Sequence, residues 1–350
     1  MNLNEPHIIK MNKVDNSLPD LKWNKSKGYL SWGKKNDAPF KLLDYYNSNG
    51  TSMHQNIINE KVKMIAGNGY TGNIPYTKLS FKKSLRQAAL DYELFNGFAF
   101  EVVFSNDGTT ITSFQHIPFH KLRLGYNEED EDNPLFAIFS NEWSNRTSED
   151  DMELIELWNG ERKGKKLMYY VEYNPQADFY PIPYYQNALP EIELGYKIGT
   201  YHLNQINNGF SIDKVFNYAT GIPSQEDQEA FVNKFSKKFK GENPESTVIV
   251  NFSDGQDQAL TVDTIQDSQS DKRFNVLKER VDNEVVIAHQ AKPAMFIAQP
   301  GKLAGSEDRK ELRQEFQWVY INQRQENMED VINEIFNTTD FKLKKYNEAI

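Results

Sequence analysis

Six histidines, 50 acidic residues and no cysteine bound the chemistry open to this 350-residue chain. Without cysteine there is no disulfide, no thiolate-held zinc and no thiol nucleophile. The histidines are His7, His54, His116, His120, His202 and His289. Only His116 and His120 are close, in HIPFH. Spacing by four suits a metal on a helix, and Pro118 between them argues against one. No H-E-x-x-H occurs, so the pair reads as two ordinary strand or loop histidines. Phosphate loops fail too. Gly301–Lys302 is followed by Leu303, not Ser or Thr, and no glycine stands five residues before Gly301. AQPGKLAGS is therefore not a Walker loop. Gly67–Asn68–Gly69 lacks the third glycine of a dinucleotide loop and follows a helical pattern. The acidic runs 127–132 and 148–153 have the charge for Ca²⁺ or Mg²⁺ but not the EF-hand pattern with its turn glycine, and read as solvated surface. Nothing singles out an acid–base pair. No catalytic residue, metal site or cofactor is expected, and the search favours a structural or interaction protein over an enzyme.

Composition agrees. At 38% hydrophobic and 13% aromatic, the chain can build a substantial core. Its formal net charge of −10 argues against gripping nucleic acid by phosphate neutralisation, though not against letting DNA slide past. The opening MNLNEPHIIKMNK lacks a signal-peptide pattern, and no run of about 18 apolar residues suggests a membrane span. A soluble protein made in a cytoplasm, with no membrane partner, is expected.

The elements follow from periodicity. Residues 1–37 read as an arm anchored by Trp23, Tyr29 and Trp32. Helices are expected over 38–67, broken by a turn at Asn49–Gly50, and over 80–96, ended by Gly97. At Phe98 the period changes. Phe98–Phe104 and Thr110–His116 flank a turn at Asn106–Asp107–Gly108 and read as a hairpin. Further strands are expected at Lys121–Gly125, Leu135–Ser140, Met152–Asn159 and Lys166–Tyr173. Residues 1–185 therefore read as α+β, helices first and then a mostly antiparallel sheet. After PIPYY (181–185), residues 187–208 carry Ile192, Tyr196, Leu203 and Ile206 on one helical face. Gly195 and Gly199 are spaced either for close helix approach or as two plain helix-weakening glycines. A strand at Ile212–Thr220 precedes a helix capped by Ser224 with Asp227 three residues later, stopping at Gly241. Strands at Thr247–Phe252 and Ala259–Ile265 follow. Helices are then expected over 270–290 and 308–336, the last with a stripe of Leu312, Phe316, Val319, Met328, Val331, Ile332 and Ile335.

This order of motifs resembles a known family. PIPYYQNALPEIELGYKIGTYHLNQINNGF leads to a strand, then to GIPSQEDQEAFVNKFSKKFKGENPESTVIVNFSDGQ, then to SDKRFNVLKERVDNEVVIAHQAKPAMFIAQPGKLAGSEDRKELRQEF. Over roughly 180–335 the chain resembles the portal proteins of tailed bacteriophages. SWGKKNDAPFKLLDYYNSNGTSMHQNIINEKVKMIAGNGY looks like the portal entry.

The resemblance implies an α+β portal-like fold. Residues 1–37 would be the N-terminal arm and 38–186 the wing, helices plus a mostly antiparallel sheet. Residues 187–208 and 270–290 would be the two stem helices, with a small α/β clip at 209–269 between them. Residues 291–308 would hold the tunnel loop, and 309–350 the C-terminal wing helix and tail. It implies no enzymatic activity. Subunits, usually twelve, would form a ring at one capsid vertex of the virion, assembled in the host cytoplasm. Double-stranded DNA would pass through non-specifically during packaging and ejection. The clip would dock the terminase large subunit and then a head-completion adaptor, and the wing would lie under the major capsid protein. Phe210, Ile212, Val215, Phe216 and Tyr218 would serve clip oligomerisation and docking. Gln299, Gly301, Lys302 and Gly305 would face DNA, with Lys302 offering a weak phosphate contact. The strand at Ile212–Thr220 is expected to be an edge that pairs with a neighbour. Portals commonly add a helical crown; only NTTDFKLKKYNEAI follows Phe336, so no crown function is implied. Two other readings stand beside this one, another phage head–neck or adaptor component, and a phage-encoded hydrolase with convergent carboxylates in a pocket.

Overall fold

The computed structural model describes residues 21–24, 28–72, 74, 79–127, 130, 133–143, 151–177, 179–207, 214–218, 224–230, 233, 248–252, 261–264, 270–296 and 306–346. Its strands, in chain order, are β1 (Leu21–Asn24), β2 (Tyr29–Trp32), β3 (Tyr70–Thr71), β4 (Gly97–Phe104), β5 (Ile111–His116), β6 (Leu122–Leu124), β7 (Phe136–Ser140), β8 (Met152–Leu157), β9 (Lys165–Val171), β10 (Lys214–Tyr218), β11 (Val248–Phe252), β12 (Thr261–Thr264) and β13 (Lys342–Leu343). Its helices are α1 (Ala38–Asn47), α2 (Ser52–Ala66), α3 (Leu79–Phe95), α4 (Leu189–Asn207), α5 (Ser270–Ala288), α6 (Pro293–Phe296), α7 (Ser306–Phe316) and α8 (Asn322–Phe336). Residues 225–230 are also helical. Gln317–Ile321 form a π-turn between α7 and α8. Two compact units result: Met1–Glu193 with Val281–Ile350, and Leu194–Arg280.

The first unit is organised by β4. Its run GFAFEVVF is buried along nearly its whole length, the mark of a strand covered on both faces. The sheet order is β5-β4-β9-β8-β7-β6. Neighbours are antiparallel except β8 and β9, which run parallel with Glu156 opposite Lys166. Helix α3 packs on this sheet through Phe81, Leu85, Ala88, Ala89, Tyr92 and Phe95, all buried at helical spacing. Its end differs from the expectation at Gly97. Asn96 takes the left-handed position, with φ +68°, and its side-chain amide donates to the Ile182 carbonyl at 3.1 Å. Gly97 serves a different need, since a Cβ there would lie 2.8 Å from both the Phe119 ring and the Tyr170 carbonyl.

Both ends of this unit are tied down. β1 and β2 form a hairpin. Trp32 is buried and stacks on Tyr180 at 4.6 Å, and the Tyr180 hydroxyl donates to the Leu30 carbonyl at 2.6 Å. Beside it Arg123 is fully buried among backbone carbonyls, donating to His120 and Leu122 oxygens at 2.9 and 2.7 Å and to the Asn36 oxygen at 3.0 Å. Burial pushes Arg123 down to about 10. At the other end, β13 pairs antiparallel with β3. Phe341 is buried beside Tyr70 and Phe81, and the Leu343 N–H donates to Glu329 at 2.8 Å. Phe341 and Leu343, after the last helix, therefore complete the core.

The second unit is leaner. β10 is the middle strand of a three-stranded sheet, parallel to β11 and antiparallel to β12. Ser224 caps the following helical stretch as its sequence predicts. Its hydroxyl donates to Asp227 at 2.6 Å and accepts from the Asp227 N–H at 3.3 Å.

Candidate functional site

The apolar stripe of α2 carries one charged member. Lys61 stands a turn beyond Ile57 and Ile58 and is buried with them. An ammonium taken out of water needs a carboxylate partner. Glu93, buried on α3, provides one, with Nζ 3.1 Å from Oε2. Glu93 also accepts from the Tyr320 hydroxyl at 3.1 and 3.0 Å and faces Arg324 Nε at 3.6 Å. Arg324 reaches Glu172 at 3.5 Å. Glu172 also accepts from the Tyr92 hydroxyl, and from Asn327 Nδ2 at 3.2 Å. Aromatic faces line the cage. Lys61 lies 4.0 Å over Tyr320, and Arg324 lies 3.9 Å over Tyr92 and 4.6 Å over Tyr184. Two cations and two carboxylates balance. Burial lowers Lys61 to about 8, with Glu93 opposing the shift. Burial also raises the Tyr92 and Tyr320 hydroxyls, which stay protonated as donors.

Two histidines sit beside this cluster. His54 Nδ1 and His289 Nε2 are 2.9 Å apart, so one ring donates to the other. Both lie against Tyr185, whose hydroxyl donates to the Leu94 carbonyl at 2.7 Å. Burial lowers both histidines, His54 to about 3, and Lys61 adds to the effect. Both are neutral at ordinary pH. In this arrangement each charge already has a partner, which suits cross-linking α2, α3 and α8 rather than turnover. Sequence periodicity carried a faint signal for it: Lys61, Glu93 and Arg324 each interrupt an apolar stripe at a position due to be buried.

The histidines singled out by spacing do not act together. His116 Nε2 is 2.6 Å from Asp91, which also accepts the Phe119 N–H at 2.8 Å. His120 lies against Phe40 and Phe95. A 3₁₀ turn starts only after Pro118, so no helix holds both rings. Among the described residues no group of three or more His, Asp or Glu is placed to hold a metal. Most of the acidic runs 127–132 and 148–153 lies outside the described residues.

In the second unit, Val215, Phe216 and Tyr218 fall on β10, while Phe210 and Ile212 lie outside the described residues. The expected edge strand is corrected: β10 is paired on both sides by its own chain, so its backbone has no free edge. The chain returns with β11 parallel and β12 antiparallel, and these two strands hold the outer positions. Gln299, Gly301, Lys302 and Gly305 lie outside the described residues. At Gly199 a Cβ would meet nothing within 4 Å, so this glycine does not mediate close packing within the chain. The helices keep apolar side chains in water instead. Leu203 is 57% exposed on α4, Val276 is 68% exposed on α5, and Tyr196 and Tyr201 are exposed as well. The Tyr201 and Phe274 rings meet at 4.8 Å, tilted by 34°, which sets α4 beside α5.

No protein-family model matches the sequence, and no curated protein does. Solved structures match at the level of fold. A chain from the neck of the native gene transfer agent particle, computed with C12 symmetry, aligns with TM-score 0.60 at 13% identity, covering 91% of this chain and 86% of that one. A chain from the virion of the native gene transfer agent particle aligns with TM-score 0.59 at 11% identity, covering 89% and 84%. A HK97-family phage portal protein from Corynebacterium diphtheriae aligns with TM-score 0.53 at 12% identity, covering 84% of this chain and 93% of that one. The chain thus has a portal-like α+β fold.

Proposed function

We propose that the chain is a non-enzymatic phage portal protein whose copies close a ring at one capsid vertex, through which genomic DNA is packaged and ejected. The observation that carries this reading is the pairing of a portal-like fold with exposed apolar residues on α4 and α5. Such residues suit burial against neighbouring subunits, and a repeated head-to-tail contact closes a ring. Twelve subunits is the favoured count, because a fold relative sits in a neck computed with C12 symmetry. In this reading α4 and α5 are stem helices. The module of β10, β11 and β12 is the clip, which docks the terminase large subunit and then the head-completion adaptor. Val215, Phe216 and Tyr218 keep a proposed docking role, while any strand pairing with a neighbour falls to β11 or β12. The segment 291–308, with Gln299, Gly301, Lys302 and Gly305, faces DNA. The first unit is the wing, beneath the major capsid protein. The net charge of −10 keeps passing DNA from sticking.

Phage heads assembled with the Leu203→Asp chain test the reading. Capsid shells should form yet hold no DNA, because a charge placed in the subunit contact opens the ring. Packaging at the wild-type level would contradict it.

A further inference from the structure

Three unfavourable features meet within the π-turn Gln317–Ile321. The turn itself replaces α hydrogen bonds with wider ones, the Asn322 N–H donating to the Gln317 carbonyl. Gln317 is buried with an amide oxygen that has no hydrogen-bond partner, although its Nε2 donates to Gln325 and Asn322 at 3.0 Å each. Trp318 and Val319 stand 79% and 72% exposed. Local cost gathered at one point, with regular helix on either side, is the pattern of a switch region.

The geometry explains how the turn arises. Phe316, Tyr320, Arg324 and Met328 are all buried, four residues apart each time. Twelve residues of pure α-helix turn through about 1200°, which would carry Met328 about 120° away from the face of Phe316. Absorbing one residue in a π-turn leaves 11 α steps, about 1100°, within about 20° of three full turns. One spare residue therefore keeps the stripe in register. The two flanks of that residue are held very differently. α8 is fixed by Arg324 on Glu93 and Glu172, by Gln325 donating to the Met64 and Ile65 carbonyls at 3.2 and 3.1 Å, and by Glu329 on the Leu343 N–H. On α7, Lys310, Glu311, Arg313, Gln314 and Glu315 are exposed. Among the described residues its ties are packing against the short helix α6, the exposed Lys292–Glu315 pair at 2.6 Å and the Phe316 ring stacked on Tyr320.

We propose that the π-turn is a register joint: α7 can slip by one residue, exchanging the π-turn for α-helix, while α8 and the buried ion cluster stay fixed. A one-residue slip turns α7 by about 100° and moves it about 1.5 Å along its axis. In a ring, that would let α7 yield to load without opening the wing core. The inference concerns one helix in one subunit and does not depend on the ring reading.

Because the chain has no cysteine, the test can be read cleanly. Lys310→Cys and Asp330→Cys place spin labels on exposed sites either side of the turn in the full chain. Pulsed electron–electron resonance should give two distance populations separated by roughly 2–3 Å, because the tip of residue 310 swings by about 8 Å but mostly across the axis of about 30 Å that separates the two labels. Deleting Val319 removes the spare residue while keeping both faces in register, so that variant should fold and show only one of the two populations. Deleting Trp318 is the alternative if the first deletion misfolds. A single population in the wild-type chain, both free and assembled, would overturn the joint whatever the deletions do.

Discussion

The first unit buries a cluster of charges within an extensive core, and the second, among its described residues, buries almost nothing apolar. Around Glu93 four ionised groups lie inside a shell of tyrosines, and strand β4 of the same unit is covered on both faces. In the second unit, Ile198 is the only apolar side chain buried among the residues whose burial is described, while Leu203, Tyr201 and Val276 face water. The first unit also exposes Leu135, Leu154, Trp318 and Val319, but over a large buried core. In the second unit the exposed apolar side chains have little core behind them, a surface of the kind that marks interaction sites. The contrast directs the search for function to the unit with the smaller described core.

The largest effect that would break this comparison lies in the cluster. Glu93→Ala leaves Lys61 and Arg324 buried without their shared carboxylate, and breaking such a pair destabilises by about 3–5 kcal/mol. Urea unfolding of the first unit's core should show it, whereas a loss under about 1 kcal/mol would mean the cluster is not closed. Acid should act next. His54 is neutral when folded down to about pH 3 but takes a proton in the unfolded chain near its ordinary value of 6.5. The unfolded state then binds more protons across that window, so stability falls as pH drops from 6.5 towards 3. His54→Asn should flatten this slope in acid melts, and an unchanged slope would remove the histidine pair from the account.

The second unit should answer to assembly instead. Tyr201→Ser should change monomer stability by no more than about 1 kcal/mol, since the site is partly exposed. Even so, it should reduce higher-order species in analytical ultracentrifugation. A large stability loss with normal assembly would reverse the contrast. Smallest of all, Lys292→Gln breaks an exposed ion pair and should shift unfolding by about 0–1 kcal/mol, less in high salt.

How much of this the sequence carries depends on how local the signal is. β4 shows as an apolar run broken only by Glu101, and Ser224–Asp227 as a cap, because both depend on neighbours in the chain. The 308–336 helix is visible too, but α spacing places Val319 inside its stripe, and the π-turn turns it out to 72% exposure. That one-residue shift is set by the distance between Phe316 and the Glu93 cluster, which only the tertiary fold supplies. The middle position of β10 is hidden for the same reason. A strand's partners depend on which later segments return to it, and β11 and β12 arrive 30 residues or more further on. The pairing of Lys61 with Glu93, and of His54 with His289, is hidden in the same way, since each partner shows only as a polar interruption of an apolar stripe.

The central claim, that copies of this chain close into a ring through the second unit, is tested most directly by native mass measurement of the purified full-length chain, alone and co-expressed with its capsid protein. The account predicts one dominant closed assembly, twelve subunits being favoured, lost in Leu203→Asp while the monomer stays folded. A chain that remains monomeric at high concentration in both settings would contradict it.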